Sequence, residues 1–164
     1  MKRHPALIPL SRDHHDGLVQ AVRLRRAAAD GDAFARLAAA REFGEFFRSE
    51  ERVHLRDEED ELFPLLLKHV PSQPAPLREA RVQHVQLEGF ARNLEIAVAA
   101  GIVDRETLDA AGELLDAHIR LEERQLFPLI EELVPDDELR RLGLANSDAT
   151  CAVRRPAPRA KGLM

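Results

Sequence analysis

Apolar residues recur along this chain every three or four positions, the spacing of one helix face. Four long segments follow that rule. The first runs from about Ser11 to Asp30 and stops at Gly31, which suits a helix C-terminus. The second starts near Asp32, a candidate N-cap, and continues to about His69. Its predicted inward stripe is Phe43, Phe47, Glu50, His54, Glu58, Leu62 and Leu66. Pro71, Pro74 and Pro76 then interrupt it, since none fits a helix interior. The third segment runs from about Leu77 to Ala100, before Gly101, with the stripe Leu77, Ala80, His84, Leu87, Ala91, Leu94 and Val98. The fourth runs from the candidate N-cap Asp104 to about Val134. Its stripe is Leu108, Ala111, Leu115, His118, Glu122, Leu126, Leu129 and Leu133.

Short connections between four amphipathic helices favour an all-α fold, an up-down-up-down antiparallel four-helix bundle. A short fifth helix fits Pro135 to Leu142. The expected domain covers residues 1–143. Residues 144–164 carry basic and proline residues without an apolar period and read as a disordered tail. Pro64 and Pro128 lie inside the second and fourth helices, where each should bend its helix or end it early.

Composition narrows the function. The net charge of −5 gives no electrostatic reason to expect nucleic acid as partner. The absence of Trp and Tyr removes the usual base-stacking residues and argues against long-lived protein radicals. The single cysteine, Cys151, excludes an intramolecular disulfide and a Cys-based zinc site. Basic residues at the N-terminus have no apolar stretch behind them, so no signal peptide is expected. No apolar run approaches a membrane span, and a reducing cytosol is the expected compartment.

The chemistry lies in a repeat. His54-x3-Glu58 precedes Leu62-Phe63-Pro64, and His118-x3-Glu122 precedes Leu126-Phe127-Pro128 in the same register. Each pair places an imidazole and a carboxylate on one helix face, about 6 Å apart along the axis and roughly 40° around it. One such pair is ordinarily a solvated surface pair. Two in register on apolar stripes are different, because ionised carboxylates are not left unpaired in a core. A metal ion removes that cost. His84 adds an imidazole from the third helix.

The first helix offers His15 or His14, which lie about 100° apart and cannot both face inward. His15 is preferred, because Leu18 follows it as Leu87 follows His84. His14 fits a stripe of Leu10, Leu18 and Ala21 almost as well.

Two six-coordinate metal ions offer about twelve ligand positions. Two bridging carboxylates, four imidazoles and one bridging oxo or hydroxo fill all but about two. Imidazole with carboxylate and open positions suits iron or manganese. Glu88, four residues after His84, lies at the edge of its stripe. Glu59, Glu61 and Glu123 are placed to face water or to hold an imidazole N–H. His4 and His69 lack such support and read as surface residues. A ferritin-like site needs Glu-x2-His twice. Glu51 and His54 satisfy it once, but Leu115 stands three before His118.

His15 (or His14), His54-x3-Glu58, His84 and His118-x3-Glu122, with Leu-Phe-Pro after both pairs, resemble the hemerythrin-like (HHE cation-binding) family. The resemblance covers about residues 7 to 134. It implies a four-helix bundle with a non-haem di-iron centre that meets O₂, NO or peroxide. Two departures count. Animal oxygen-carrying hemerythrins have a second histidine on the third helix, where this chain has Glu88, and they end in His-x4-Asp rather than His118-x3-Glu122. Both argue against simple reversible oxygen carriage. The expectation is a di-iron protein that binds or senses O₂, NO or iron. The alternative is a di-iron enzyme acting on peroxide or NO.

Overall fold

The computed structural model describes residues 3–142. The expected tail, 144–164, lies outside the described residues. A single 3₁₀ turn, Pro5–Leu7, leads into α1, Ile8–Asp30. Helix α2 spans 33–67, α3 is Ala75–Ala100, α4 spans 105–133, and a short α5 covers 136–142. No strand occurs among the described residues. No helix among them is long and apolar enough to cross a membrane.

The boundaries follow the expected local chemistry. Asp32 caps α2 by accepting from the Ala35 N–H at 2.8 Å, and Asp104 caps α4 by accepting from Thr107 N–H at 2.7 Å. Gly101 ends α3 in the left-handed region, φ 75°, where a side chain would be strained. Helices α2 and α4 each contain one of the expected prolines, Pro64 and Pro128. Neither ends its helix, for α2 continues to Leu67 and α4 to Leu133. Each follows a π-helical turn, Glu58–Leu62 in α2 and Glu122–Leu126 in α4. A third π turn, Phe47–Glu51, has no counterpart in α4, which is regular from Arg105 to Leu121.

These turns change which residues face inward. In a regular helix a step of four residues drifts about 40° around the axis, so twelve residues drift about 120°. A π turn holds one residue more and cancels most of that drift. His54, Glu58, Leu62 and Leu66 therefore all stay buried, as do His118, Glu122, Leu126, Ile130 and Val134. The sequence stripe differs here. Leu129 is only half-buried and Leu133 is exposed, because the π turn moves the inward face one residue on, to Ile130 and Val134. The stripe also differs in that Glu50 is exposed and Glu51 is buried.

Helix α1 packs along α4 and α2, and α3 packs along α2 and α4. Buried side chains form two apolar clusters. One gathers Leu7, Leu10, Leu62, Phe63, Leu66, Leu77, Leu126, Phe127 and Ile130. Leu139 and Leu142 of α5 complete it. The other gathers Leu24, Phe43, Phe47, Leu87, Leu94, Leu108 and Leu115. The buried polar residues lie between the two along every long helix.

The α1–α4 contact is close. A Cβ added at Gly112 would meet the Ala21 carbonyl oxygen at 2.9 Å and Leu24 Cβ at 3.3 Å, and backbone cannot move aside cheaply. Gly112→Val is therefore expected to force α1 and α4 apart and destabilise the fold by about 1–3 kcal/mol. Urea unfolding of the variant beside the wild type measures this.

Candidate metal centre

Five residues of the expected set, His54, Glu58, His84, His118 and Glu122, converge with His14 between the apolar clusters. They form two groups, His14–His54–Glu58–Glu122 and Glu58–His84–His118–Glu122. In each group the ligand atoms lie within 4.8 Å of one another, and both carboxylates belong to both groups. Glu58, Glu122 and His118 have no exposed surface, and His14, His54 and His84 are buried.

The first helix contributes His14. His15 faces solvent, which overturns the preference for it. The alternative stripe of Leu10, His14, Ala21 and Leu24 is the inward one, with Gly17 tight against Ile119. Glu88 and Glu61 are exposed and stand outside the cluster. His4 and His69 are half-buried and pair with Asp136 and Glu138, tying α5 to the rest.

Every imidazole is oriented by a group on its outer side. His14 Nδ1 lies 2.8 Å from Glu123 and His84 Nδ1 lies 2.9 Å from Glu59. His54 Nδ1 lies 3.4 Å from Asp13, and His118 Nδ1 lies 3.2 Å from the Gln83 amide oxygen. A carboxylate or amide oxygen only accepts, so Nδ1–H donates and the Nε2 lone pair is left for the centre. Glu59 and Glu123 were foreseen in this role. Asp13 and Gln83 were not, although each directly precedes a cluster histidine in the sequence.

The repeated Leu-Phe-Pro now has a purpose. Phe127 stacks on His14 with ring centroids 5.2 Å apart, and Phe63 stacks on His84 at 5.5 Å. Behind these, Arg3 pairs with Glu123 and lies over Phe127, while Arg81 pairs with Glu59 and lies over Phe63. The two halves thus repeat each other down to the outer arginine.

The inner atoms decide what the centre can hold. His14 Nε2 and His54 Nε2 face each other at 3.1 Å. Imidazole nitrogens approach the carboxylates at 3.0 to 3.7 Å. Yet both oxygens of Glu58, both of Glu122, and Nε2 of His84 and His118 are buried without a hydrogen bond of acceptable geometry. They point at shared points in space, not at each other. A cation at those points satisfies them all.

Without a metal, protons must neutralise the pair. Burial and the Glu122 charge oppose ionisation of Glu58, but the neighbouring imidazoles outweigh them and its pKa is lowered. Glu122 is likewise lowered despite its burial. Burial disfavours a charged His14, but Glu122 and Glu123 outweigh it and raise the pKa to about 9. His84 is raised to about 10, with Glu122 and Glu58 overcoming burial. His54 is raised well above its ordinary value, where Glu58 and Asp13 overcome burial. His118 is the exception. Burial lowers it to about 4 in spite of Glu122.

Fold and centre together define an all-helical protein with buried His/Glu groups suited to a metal cation. The chain belongs to the hemerythrin HHE cation binding domain family, whose sequence model matches residues 6–130. Comparison with curated proteins and with solved structures finds no match.

Two outcomes follow for the centre. A raised imidazole pKa stabilises the metal-free fold fully below the unfolded value of about 6.5, and this is lost as pH rises through about 9 to 10. The melting temperature of metal-free protein should therefore fall between about pH 7 and pH 10, and that of loaded protein should fall less. Circular-dichroism melts across that range check it. Glu59→Gln and Glu123→Gln should each weaken metal binding about ten- to a hundredfold by loosening His84 or His14. Chelator competition reads that change directly.

Proposed function

We propose that this chain is a non-haem di-iron protein, folded as an up-down-up-down antiparallel bundle, that binds or senses a small molecule such as O₂ or NO. The observation that carries the reading is the sharing of Glu58 and Glu122 by both groups of potential ligands. A carboxylate in two groups is placed to bridge two cations, with one imidazole pair at each end. Four neutral nitrogens and two carboxylates suit iron, with manganese as the nearest competitor. When bound, the metal pair supplies open coordination positions and one-electron redox steps.

The chain's own residues do the rest. His14 and His54 hold one position, and His84 and His118 hold the other. Glu123, Asp13, Glu59 and Gln83 fix the rings so that each Nε2 faces inward. The two apolar clusters exclude bulk water from above and below. A cytosolic setting and action through a protein partner belong to the same proposal, and the single cysteine agrees with a reducing compartment.

A second reading, an enzyme acting on peroxide or NO, draws support from the buried carboxyl of Glu51.

Iron analysis separates bridging from independent sites. The wild type should carry about two iron ions per chain, with oxo-bridge absorption in the near ultraviolet. His84→Ala should reduce the content towards one, whereas Glu122→Ala should reduce occupancy at both positions. Iron-free protein after anaerobic exposure to Fe(II) counts against the proposal. Gas evolution from peroxide that disappears in His118→Ala favours the enzyme.

A further inference from the structure

The internal repeat holds for the motif residues of the centre and fails at a buried carboxyl just before the first of them. His54 matches His118, Glu58 matches Glu122, Glu59 matches Glu123 and Phe63 matches Phe127. At the same offset Glu51 matches Leu115. Leu115 is fully buried in an apolar cluster on a regular helix. Glu51 is only 5% exposed and closes the π turn Phe47–Glu51, which the second repeat lacks. Three residues before its cluster histidine on one helix face, Glu51 is turned inward as Leu115 is, and Glu50 is exposed.

Glu51 has no evident structural use. Among the described residues its side chain makes no hydrogen bond and no ion pair, and burial raises its pKa. A buried carboxyl of this kind is costly to the fold and needs a reason. It lies three residues before His54 on the same face of the same helix, where the charges of His54 and His14 act on it ahead of those of Glu58 and Glu122. It therefore stands at the His14–His54 half, and an apolar leucine stands at the corresponding place by His84 and His118. A groove of about 450 Å³ between α1 and α2 is lined by Asp16, Gln20, Ser49 and Glu50 and flanks the same π turn.

We propose that Glu51 is the hydrogen-bonding partner of a protic oxygen ligand, water or hydrogen peroxide, held at the His14–His54 half of the centre. The inference rests on the di-metal reading above. It makes the two halves unequal: one has a carboxyl beside its open position, and the other an apolar wall. A protic ligand bonds to Glu51 in either protonation state, donating to a carboxylate or accepting from an acid. A diatomic without a proton gains much less.

The test compares full-length wild type with Glu51→Leu, Glu51→Ala and Glu51→Gln, each loaded anaerobically with Fe(II). Iron content comes first. Iron-free wild type overturns the di-metal reading itself, whereas equal iron in all four proteins leaves Glu51 as the only variable. Hydrogen peroxide is then added below saturation and oxidation is followed in the near ultraviolet. In that reaction the O–O bond breaks, the two ferrous ions supply the two electrons, and the oxygens leave as hydroxide or water.

Glu51→Leu and Glu51→Ala should slow oxidation about tenfold. Glu51→Gln, whose amide both donates and accepts, should stay within about threefold of wild type. NO should bind all four proteins alike. Metal-free Glu51→Leu should melt a few degrees higher than wild type, because an unpaired buried carboxyl is gone. Glu51→Ala carries the comparison if Glu51→Leu fails to fold. Equal peroxide rates, loss of iron from the variants, or a lower metal-free melting temperature in Glu51→Leu would overturn the proposal.

Discussion

Two carboxylates with no exposed surface and no hydrogen-bond partner, Glu58 and Glu122, set the terms for the rest of this structure. The effective penalty for burying such an ion is several kcal/mol, and a whole domain is stable by only about 5–15 kcal/mol. Two of them side by side cannot persist without cations between them. Protons on His14, His54 and His84 serve in the metal-free chain, as their raised pKa values record. Metal ions serve better, because one cation can satisfy oxygens and Nε2 lone pairs at once. The protons and the metals thus compete for one interior, and stability and loading become one problem.

The repeated motif solves that problem across helices rather than within them. Each histidine of a His-x3-Glu pair shares its own carboxylate, but the next residues reach elsewhere. Glu59 and Phe63 on α2 orient and stack on His84 of α3. Glu123 and Phe127 on α4 do the same for His14 of α1. The histidines without a motif of their own are therefore held by the motif of a neighbour. Arg81 and Arg3 close each set by pairing with the outer carboxylate, which keeps its charge turned away from the centre. This explains why a phenylalanine recurs nine residues past each motif histidine, when apolar periodicity alone would accept any large side chain there.

The helices, their caps and five residues of the cluster were legible in the sequence because they depend on local periodicity. What was not legible depends on π turns and on ring orientation. A regular period sends Glu50, Leu129 and Leu133 inward. The extra residue of the π turn in α4 sends Ile130 and Val134 inward instead, and in α2 Glu51 rather than Glu50 is the buried one. A trace of this was present. Four buried positions spaced by four, His54 to Leu66 and again His118 to Ile130, drift too far for a regular helix. The choice between His14 and His15 turned on which stripe of α1 meets Gly112, a tertiary contact that single-helix patterns do not encode. Asp13 and Gln83 were hidden for a similar reason. Each precedes a cluster histidine, yet Asp13 serves His54 and Gln83 serves His118, both on other helices.

Asymmetry is the last consequence of the same inventory. Three imidazoles have a carboxylate on their outer nitrogen, and His118 has the neutral Gln83 amide. A carboxylate there favours a charged ring, and an amide does not. Burial, joined by the charges on His84 and His14, lowers the His118 pKa to about 4 against Glu122, while the other three rise. His118 offers its Nε2 lone pair at neutral pH without first giving up a proton. The opposite half carries Glu51 in place of Leu115. So the apolar half has a proton to release at His84 alone, whereas the half with a spare polar group must release protons at both His14 and His54. The repeat has acquired two unequal ends, with Gln83 in place of a carboxylate and Glu51 in place of an apolar residue, and neither difference disturbs the two carboxylates that both groups share.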